Sequence, residues 1–208
     1  MPQRRPLLLC LAVLAVIVAC IAWIDRPLAR FMGAFALGHA LFNNAAVRLP
    51  VMSTLAVAGV LAGAAFLIAG RRLPKWVEAA MLAGIAALLA LWLTHDLLKP
   101  FFGRIVPIDY LKSGRYAFRW FSSNSGNDSF PSGHAARAAA ILTVLWVYFP
   151  RGRWLYAGAM AVLTVGLMMG RWHFLSDVLA GGLVGVALGG GTMALWRKAR
   201  ERWAVARG

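Results

Sequence analysis

The sequence predicts an all-α integral membrane protein, a bundle of six transmembrane helices that forms a single domain over residues 1–208. Three observations predict this fold class. The chain is 61% apolar and only 14% charged, whereas a soluble domain carries about a quarter charged residues. Its mean hydropathy is +0.70. Its apolar residues fall into six runs, each near the roughly 20 residues that a helix needs to cross a bilayer.

The six runs are separated by basic or polar turns. Arg4 and Arg5 precede the first run, which resembles a signal peptide but is long for one and ends in a poor cleavage site. We therefore expect a retained first span. The mixed segment from Asp25 to Pro50 is expected to lie on the membrane surface. The predicted spans are Leu7–Ile24, Val51–Gly70, Val77–Leu98, Pro131–Phe149, Trp154–Trp172 and Ser176–Trp196.

The charged residues predict an orientation. The chain has 22 Lys and Arg against 7 Asp and Glu. Because the basic residues lie mainly between apolar runs, they indicate membrane topology and anionic lipid, and we expect no nucleic-acid partner. With the N-terminus in the cytoplasm, most of them lie on the cytoplasmic side, as the positive-inside rule prefers. The ends of spans three and five and the start of span four then share the outer face.

Three polar stretches fall on that outer face. The first is Lys99–Arg104 (KPFFGR), at the end of the third span. The second is Phe130–His134 (FPSGH), where a polar extramembrane loop over residues 100–130 gives way to the fourth span. The third is His173–Asp177 (HFLSD), between the last two spans. The alternation of spans therefore predicts one cluster built from three distant stretches.

The second stretch has the features of an anion site. Pro131 fits the first turn of a helix, where its missing N–H is tolerated. The N–H groups of Ser132, Gly133 and His134 would then be unpaired donors at a positive helix end. Glycine allows close approach to the backbone, and His134 exchanges a proton near neutral pH. An ordinary helix start is the alternative for this tetrapeptide taken alone.

The third stretch supplies a nucleophile. His173 and Asp177 are four residues apart, so a helix places them on one face. A carboxylate that holds one imidazole nitrogen fixes the tautomer and leaves the other nitrogen nucleophilic. We therefore expect phosphoryl transfer through a phosphohistidine at His173. His134 would protonate the leaving oxygen, and Lys99 would help to gather the phosphoryl charge. One carboxylate and two histidines are a thin ligand set, so we expect no metal and no cofactor.

These stretches resemble the three signatures of the type-2 phosphatidic acid phosphatase family, whose fold is shared with vanadium haloperoxidases. The family signatures are Lys, six residues, Arg-Pro; then Pro-Ser-Gly-His; then Ser-Arg, five residues, His, three residues, Asp. The resemblance covers about residues 96–185. It implies that the matching positions bind phosphate (Lys99, Ser132, Gly133), donate the proton (His134) and form the nucleophile with its partner (His173, Asp177).

Two arginines of the family signatures are missing. Val106 stands where the first signature has its arginine, and Leu167 where the third has its own. Arg104 is well placed to substitute for the first. Arg137 lies three residues after His134 on the same helix face, within a predicted span, where an arginine is usually functional or paired. We expect Arg137 either to contact the substrate phosphate or to pair with a neighbouring group.

The sequence therefore predicts a lipid phosphatase of the bacterial inner membrane, with its active site facing the periplasm. The substrate would be a lipid phosphate or diphosphate, because the cluster lies where a headgroup sits while its tail stays in the bilayer. Undecaprenyl diphosphate, phosphatidylglycerol phosphate, phosphatidic acid and lipid A all fit. Two alternatives stay open: a lipid-to-lipid phosphotransferase, and a non-catalytic lipid-binding protein, which Val106 and Leu167 favour.

Overall fold

The computed structural model describes residues 4–35, 51–122 and 126–205. In these ranges the regular structure is helical, and a single backbone bridge joins Arg104 to Phe118. The predicted all-α class is therefore confirmed. In chain order the α-helices are α1 (Arg4–Ala19), α2 (Asp25–Gly33), α3 (Val51–Ile68), α4 (Lys75–Trp92), α5 (Lys99–Phe102), α6 (Pro107–Ser113), α7 (Gly133–Tyr148), α8 (Arg153–Met169) and α9 (Leu175–Val205).

Within the described ranges, four helical stretches are long and apolar enough to cross a membrane: Leu7–Gly33, Lys75–Phe102, Pro150–Met169 and Leu175–Val205. The second and fourth predicted spans correspond to α3 and α7, which are apolar but shorter. α3 stops before Gly70, which has a positive φ of 64°, and α7 begins only at Gly133. The number of six spans therefore remains a prediction.

Two π-helical turns interrupt the long helices. One, Cys20–Ile24, joins α1 to α2, and the other, Leu93–Leu98, joins α4 to α5. Such turns are rare in proteins as a whole, but those that occur are often at functional sites. The wider turn changes the direction of the side chains that follow. The residues directly after the two turns are Asp25 and Lys99.

The position of Asp25 corrects one expectation from the sequence. The segment from Asp25 to Pro50 was predicted to lie on the membrane surface, but Asp25 is buried inside the bundle. The first helical stretch continues through α2 to Gly33, because the π-helical turn carries the helix past the charged residues instead of ending it. Residues 36–50 lie outside the described ranges.

Helix α9 packs backbone to backbone against α7. A Cβ at Gly181 would lie 2.3 Å from the carbonyl oxygen of Ser132, and one at Gly185 would lie 2.2 Å from that of Ala136. Gly189 makes a similar approach one turn later. The four-residue spacing of these glycines therefore serves helix packing within the chain. This contact fixes the start of α7 relative to the start of α9, which are the two helix ends that contain the histidines and Asp177.

Small residues also join α3 and α4 to this core. A Cβ at Gly84 would lie 2.3 Å from the carbonyl oxygen of Ala56, and alanines of α4 pack against alanines of α7. By contrast, α1 and α8 expose many large apolar side chains, including Leu8 and Trp154. Apolar surface of this extent, on helices of this length, faces lipid.

Candidate active site

The structure brings the three polar stretches together at one end of the bundle. The imidazole rings of His134 and His173 are neighbours, with centroids 6.4 Å apart and their planes tilted by 60°. The indole of Trp172 lies 5.9 Å from the His134 ring. Lys99 and Arg137 are close enough for their charges to act on His134. The cluster therefore combines the start of α5, the start of α7 and the turn between α8 and α9.

His173 is held by a backbone carbonyl. Its Nδ1 lies 2.9 Å from the carbonyl oxygen of Ser129, and the side chain is 7% exposed. Because a carbonyl oxygen only accepts, Nδ1 must hold the proton, and the lone pair is then on Nε2. This is the tautomer that a nucleophilic histidine needs. The carboxylate of Asp177 is more distant, with Oδ2 3.7 Å from Nδ1.

Asp177 connects the parts of the site to one another. Its fully buried carboxylate accepts hydrogen bonds from the Ser129 hydroxyl and, at 2.7 Å, from the Phe174 N–H. Its backbone carbonyl accepts the N–H of Ser132 at 2.9 Å. Asp177 thus fixes the Ser129 segment, whose carbonyl orients His173. The expected pairing of Asp177 with His173 is present as an electrostatic contact. The hydrogen bond from Ser129 to Asp177 is shorter, and it positions His173 through the Ser129 carbonyl.

Arg104 lies behind Asp177 and is completely buried. Its Nη1 donates to the Ser176 hydroxyl at 2.6 Å and to Asp177, and its Nη2 donates to Asp25 at 2.7 Å and to the Tyr116 hydroxyl. Burial alone would lower the pKa of the guanidinium, but the negative charges of Asp177 and Asp25 raise that pKa above its ordinary value. Arg104 is therefore a permanent cation between two carboxylates.

This position differs from the one predicted for Arg104. From the sequence, its guanidinium was expected to contact the substrate phosphate. In the structure both terminal nitrogens already donate to protein side chains, and Nε is buried. The ring of Phe174 covers the guanidinium at 4.3 Å. A phosphate could reach Arg104 only by displacing a carboxylate that this buried cation stabilises.

Asp25 is the residue that the sequence analysis missed. Its Oδ1 accepts the N–H of Ser176 at 3.0 Å, next to the start of α9, and its Oδ2 accepts from Arg104 and from the Ser176 hydroxyl. It thus satisfies one of the free N–H groups of a helix start. A signal was available in the sequence: a single acid directly after a long apolar run is expensive in a membrane unless it is paired.

The start of α7 differs in detail from the expectation. The helix begins at Gly133 with Ser132 as its N-cap, whose Oγ accepts the N–H of Ala135 at 3.3 Å. Pro131 therefore lies before the helix, and the N–H of Ser132 is taken by Asp177. In the described part of the chain, nothing accepts from the N–H groups of Gly133 and His134. Those two donors remain available to an anion.

Two cations border the histidine pair. Lys99 Nζ lies 3.6 Å from the exposed carboxylate of Asp128. Arg137 donates from Nη1 to the Ser53 hydroxyl at 2.9 Å and from Nε to the Gly133 carbonyl at 3.2 Å. These bonds hold the guanidinium beside the first turn of α7. A partly exposed lysine and a half-buried arginine therefore lie beside the position that a phosphate between the histidines would occupy.

The position of the missing third-signature arginine lies in the apolar core. Leu167 is 2% exposed and packs with Ala135 and Val178. Its carbonyl accepts the N–H of Trp172 at 3.1 Å and so helps to shape the turn before His173. Leu167 contributes to the packing beneath the histidines and supplies no charge.

Comparison with known proteins indicates the family of the chain. The family described as PAP2 superfamily matches residues 79–201. Over 89 residues the chain is 35% identical to a protein named lipid A 1-phosphatase from Rhizobium johnstonii, covering 43% of this chain and 36% of that protein. A protein of the same name from Rhizobium etli is 34% identical over 89 residues, covering 43% and 38%. The match thus spans well under half of each relative.

A crystal structure described as the first transmembrane PAP2-type phosphatidylglycerolphosphate phosphatase, from Bacillus subtilis, is 18% identical. It covers 91% of this chain and 96% of its own, with a TM-score of 0.42. The family match includes all three polar stretches and more than half of the chain. The chain belongs to the PAP2 superfamily.

Proposed function

We propose that this protein is a membrane lipid phosphatase that hydrolyses a phosphomonoester or diphosphate on a lipid headgroup through a phosphohistidine, without a metal ion. One observation supports this most directly. The 2.9 Å contact between His173 Nδ1 and the Ser129 carbonyl puts the free lone pair on Nε2 of a ring whose centroid lies 6.4 Å from that of His134. A nucleophile and a proton donor would thus be neighbours, with Lys99 and Arg137 nearby.

In the first step, Nε2 of His173 attacks the phosphorus and the bond from phosphorus to the lipid oxygen breaks. His134, protonated, gives its proton to that oxygen, so the dephosphorylated lipid leaves as an alcohol or, from a diphosphate, as a monophosphate. In the second step, His134 takes a proton from water as the water attacks the phosphohistidine. Inorganic phosphate leaves, and both histidines return to their starting protonation states.

The charge of the transferring group is balanced by Lys99, by Arg137 and by the N–H groups of Gly133 and His134. Ser132 acts by capping α7 and so by aiming those two N–H groups. Arg104 acts one layer further back, as a positioning residue that holds Asp177. In this arrangement Arg137 takes over the role of the missing family arginines.

The names of the relatives favour a lipid A-type sugar phosphate as the first substrate to test, and the other lipid phosphates and diphosphates named above complete the panel. The apolar surfaces of α1 and α8 would keep the lipid tail in the bilayer while the headgroup reaches the histidines. We place the protein in a bacterial inner membrane with six spans and with the site on the periplasmic face, as the distribution of basic residues predicts. A phosphotransferase would differ only in the hydroxyl that resolves the phosphohistidine.

The test is phosphate release from this lipid panel by purified protein in detergent containing EDTA, with His173→Ala as the matched variant. We expect release that survives chelation and falls by several orders of magnitude in the variant, because the covalent intermediate can no longer form. Release that requires a divalent cation would overturn the metal-free mechanism. No release from any lipid would favour the binding protein instead.

A further inference from the structure

A cavity lies at the opposite end of the bundle from the histidines. It has a volume of about 370 Å³ and is bounded by the end of α3, the turn that follows α3 and the last part of α9. The 28 residues of the helical stretch Lys75–Phe102 separate the two ends by roughly 40 Å, at about 1.5 Å per residue. The walls of this cavity combine arginines, indoles and aliphatic side chains, among them Leu67, Arg71, Arg72, Trp196, Arg200 and Trp203.

The negative charge in this cavity is already neutralised. Glu78, buried at its floor, accepts hydrogen bonds through Oε1 from the Tyr148 hydroxyl at 3.0 Å, from the Trp196 indole at 2.6 Å and from Arg200 at 2.9 Å. Arg200 thus balances the carboxylate. Because two helices, α7 and α9, supply these donors to a carboxylate on α4, the floor of the cavity is a fixed part of the bundle.

The remaining charge comes from Arg71 and Arg72, in the turn after α3. Both are exposed, and in the described ranges neither has an acidic partner. The guanidinium of Arg71 lies 5.6 Å from the Phe66 ring centroid, which holds it against the helix end. Two neighbouring guanidiniums without a counter-charge match a phosphate group, which arginine binds through paired hydrogen bonds.

The apolar walls identify the rest of the ligand. Leu67 and Trp203 are exposed beside the arginines, and the Trp203 ring lies edge-on to that of Trp196 at 5.8 Å. A free phosphate has nothing to place against such surfaces, whereas the glycerol and upper acyl chain of a phospholipid do. Tryptophans are also the residues that line the membrane interface, and basic pockets between membrane helices bind anionic headgroups.

We propose that this cavity binds an anionic phospholipid of the leaflet opposite the histidine cluster, with its phosphate on Arg71 and Arg72 and its upper acyl chain along Leu67. The site is separate from the catalytic cluster and does not depend on the proposed activity. The lipid would join the turn after α3 to the last part of α9 and so hold these two parts of the chain together.

The experiment compares lipid retention and thermal unfolding of the full-length protein in detergent with added phosphatidylglycerol, phosphatidylcholine or soluble glycerol phosphate. The variant is Arg71→Gln with Arg72→Gln. The matched control is Arg151→Gln with Arg153→Gln, which removes the same charge from the same membrane face outside the cavity. Binding at the catalytic cluster is common to all three proteins and cancels in the comparison.

We expect native mass spectrometry to show phosphatidylglycerol bound roughly tenfold or more weakly to the cavity variant, because charge-assisted hydrogen bonds are lost, and equally to the control and the parent. Phosphatidylglycerol should raise the unfolding midpoint of the parent and the control only. Equal binding by all three proteins would overturn the proposal, as would equal loss in the control. Stabilisation by glycerol phosphate as strong as that by the lipid would overturn the assignment of a phospholipid.

Discussion

His173, the proposed nucleophile, is oriented by Ser129, a residue that carries no charge. Ser129 contributes a carbonyl to His173 and a hydroxyl to Asp177. Behind them, Arg104 joins Asp177 to Asp25. A chain of buried groups thus runs from the first helical stretch to His173. Removing one partner of a buried ion pair leaves the other charge uncompensated, which typically destabilises a protein by about 3–5 kcal/mol.

Arg104→Lys tests whether Arg104 positions or binds. Lysine keeps the charge but cannot serve two carboxylates through a planar fork, so we expect kcat to fall at least about tenfold with KM nearly unchanged. Lys99→Gln, which removes a predicted phosphate contact, should instead raise KM. Steady-state kinetics on one lipid phosphate distinguish the two roles.

Asp25→Asn is the companion variant. It leaves the predicted phosphate ligands untouched but removes one carboxylate from Arg104, so it should lower kcat and the unfolding midpoint in the same way as Arg104→Lys. Asp96→Asn, at an exposed acid near the same end of the bundle, serves as the control and should change neither. A rise in KM for Arg104→Lys that equals the rise for Lys99→Gln would contradict the positioning role and indicate that Arg104 contacts the substrate.

At the scale of elements, the contact between α7 and α9 sets the distance between the two histidines. Gly185→Ala would put a methyl group 2.2 Å from the Ala136 carbonyl, so the helices must separate. We expect a loss of about 1–3 kcal/mol, typical of overpacking, and reduced activity, because the start of α7 moves with the helix. The unfolding midpoint in detergent and phosphate release measure the two effects.

Gly190→Ala is the matched control, in the same helix but with no atom near the added methyl group. Alanine is the better helix former by up to about 1 kcal/mol, so this variant should be as stable as the parent or more stable. If both substitutions destabilise equally, the cause is not the close approach of α7 and α9.

The elements were largely predictable and their connections were not. Apolar runs of membrane length predict helices, and the spacing of His173 and Asp177 predicts one helix face, because both depend on neighbours along the chain. The burial of Asp25 depends on a π-helical turn and on partners far away in the sequence, Arg104 and Ser176. The hydrogen bonds from Ser129 and Ser132 to Asp177 also join residues that are far apart in the sequence. Patterns of charged and nucleophilic side chains therefore do not predict these bonds.

At the scale of the whole molecule, orientation is the main prediction. Cys10 and Cys20 are free cysteines, so a cysteine-free parent with alanine at both positions allows single-site labelling. Ser113→Cys, exposed in the polar segment near the histidines, should react with a membrane-impermeant maleimide in intact cells. Arg151→Cys, in the turn before α8, should react only after permeabilisation. The opposite pattern would place the site in the cytoplasm.

The pairing of Asp25 with Arg104 and Ser176 also has a consequence for biogenesis. Asp25 is synthesised 79 residues before its guanidinium partner Arg104 and 151 residues before Ser176, whose N–H arrives only with α9. A nascent chain that ends before α9 lacks both Asp177 and the helix start that Asp25 caps. The buried set of Asp25, Arg104, Ser176 and Asp177 therefore assembles only when α9 is inserted, so we expect the proposed activity only from a chain that contains this helix.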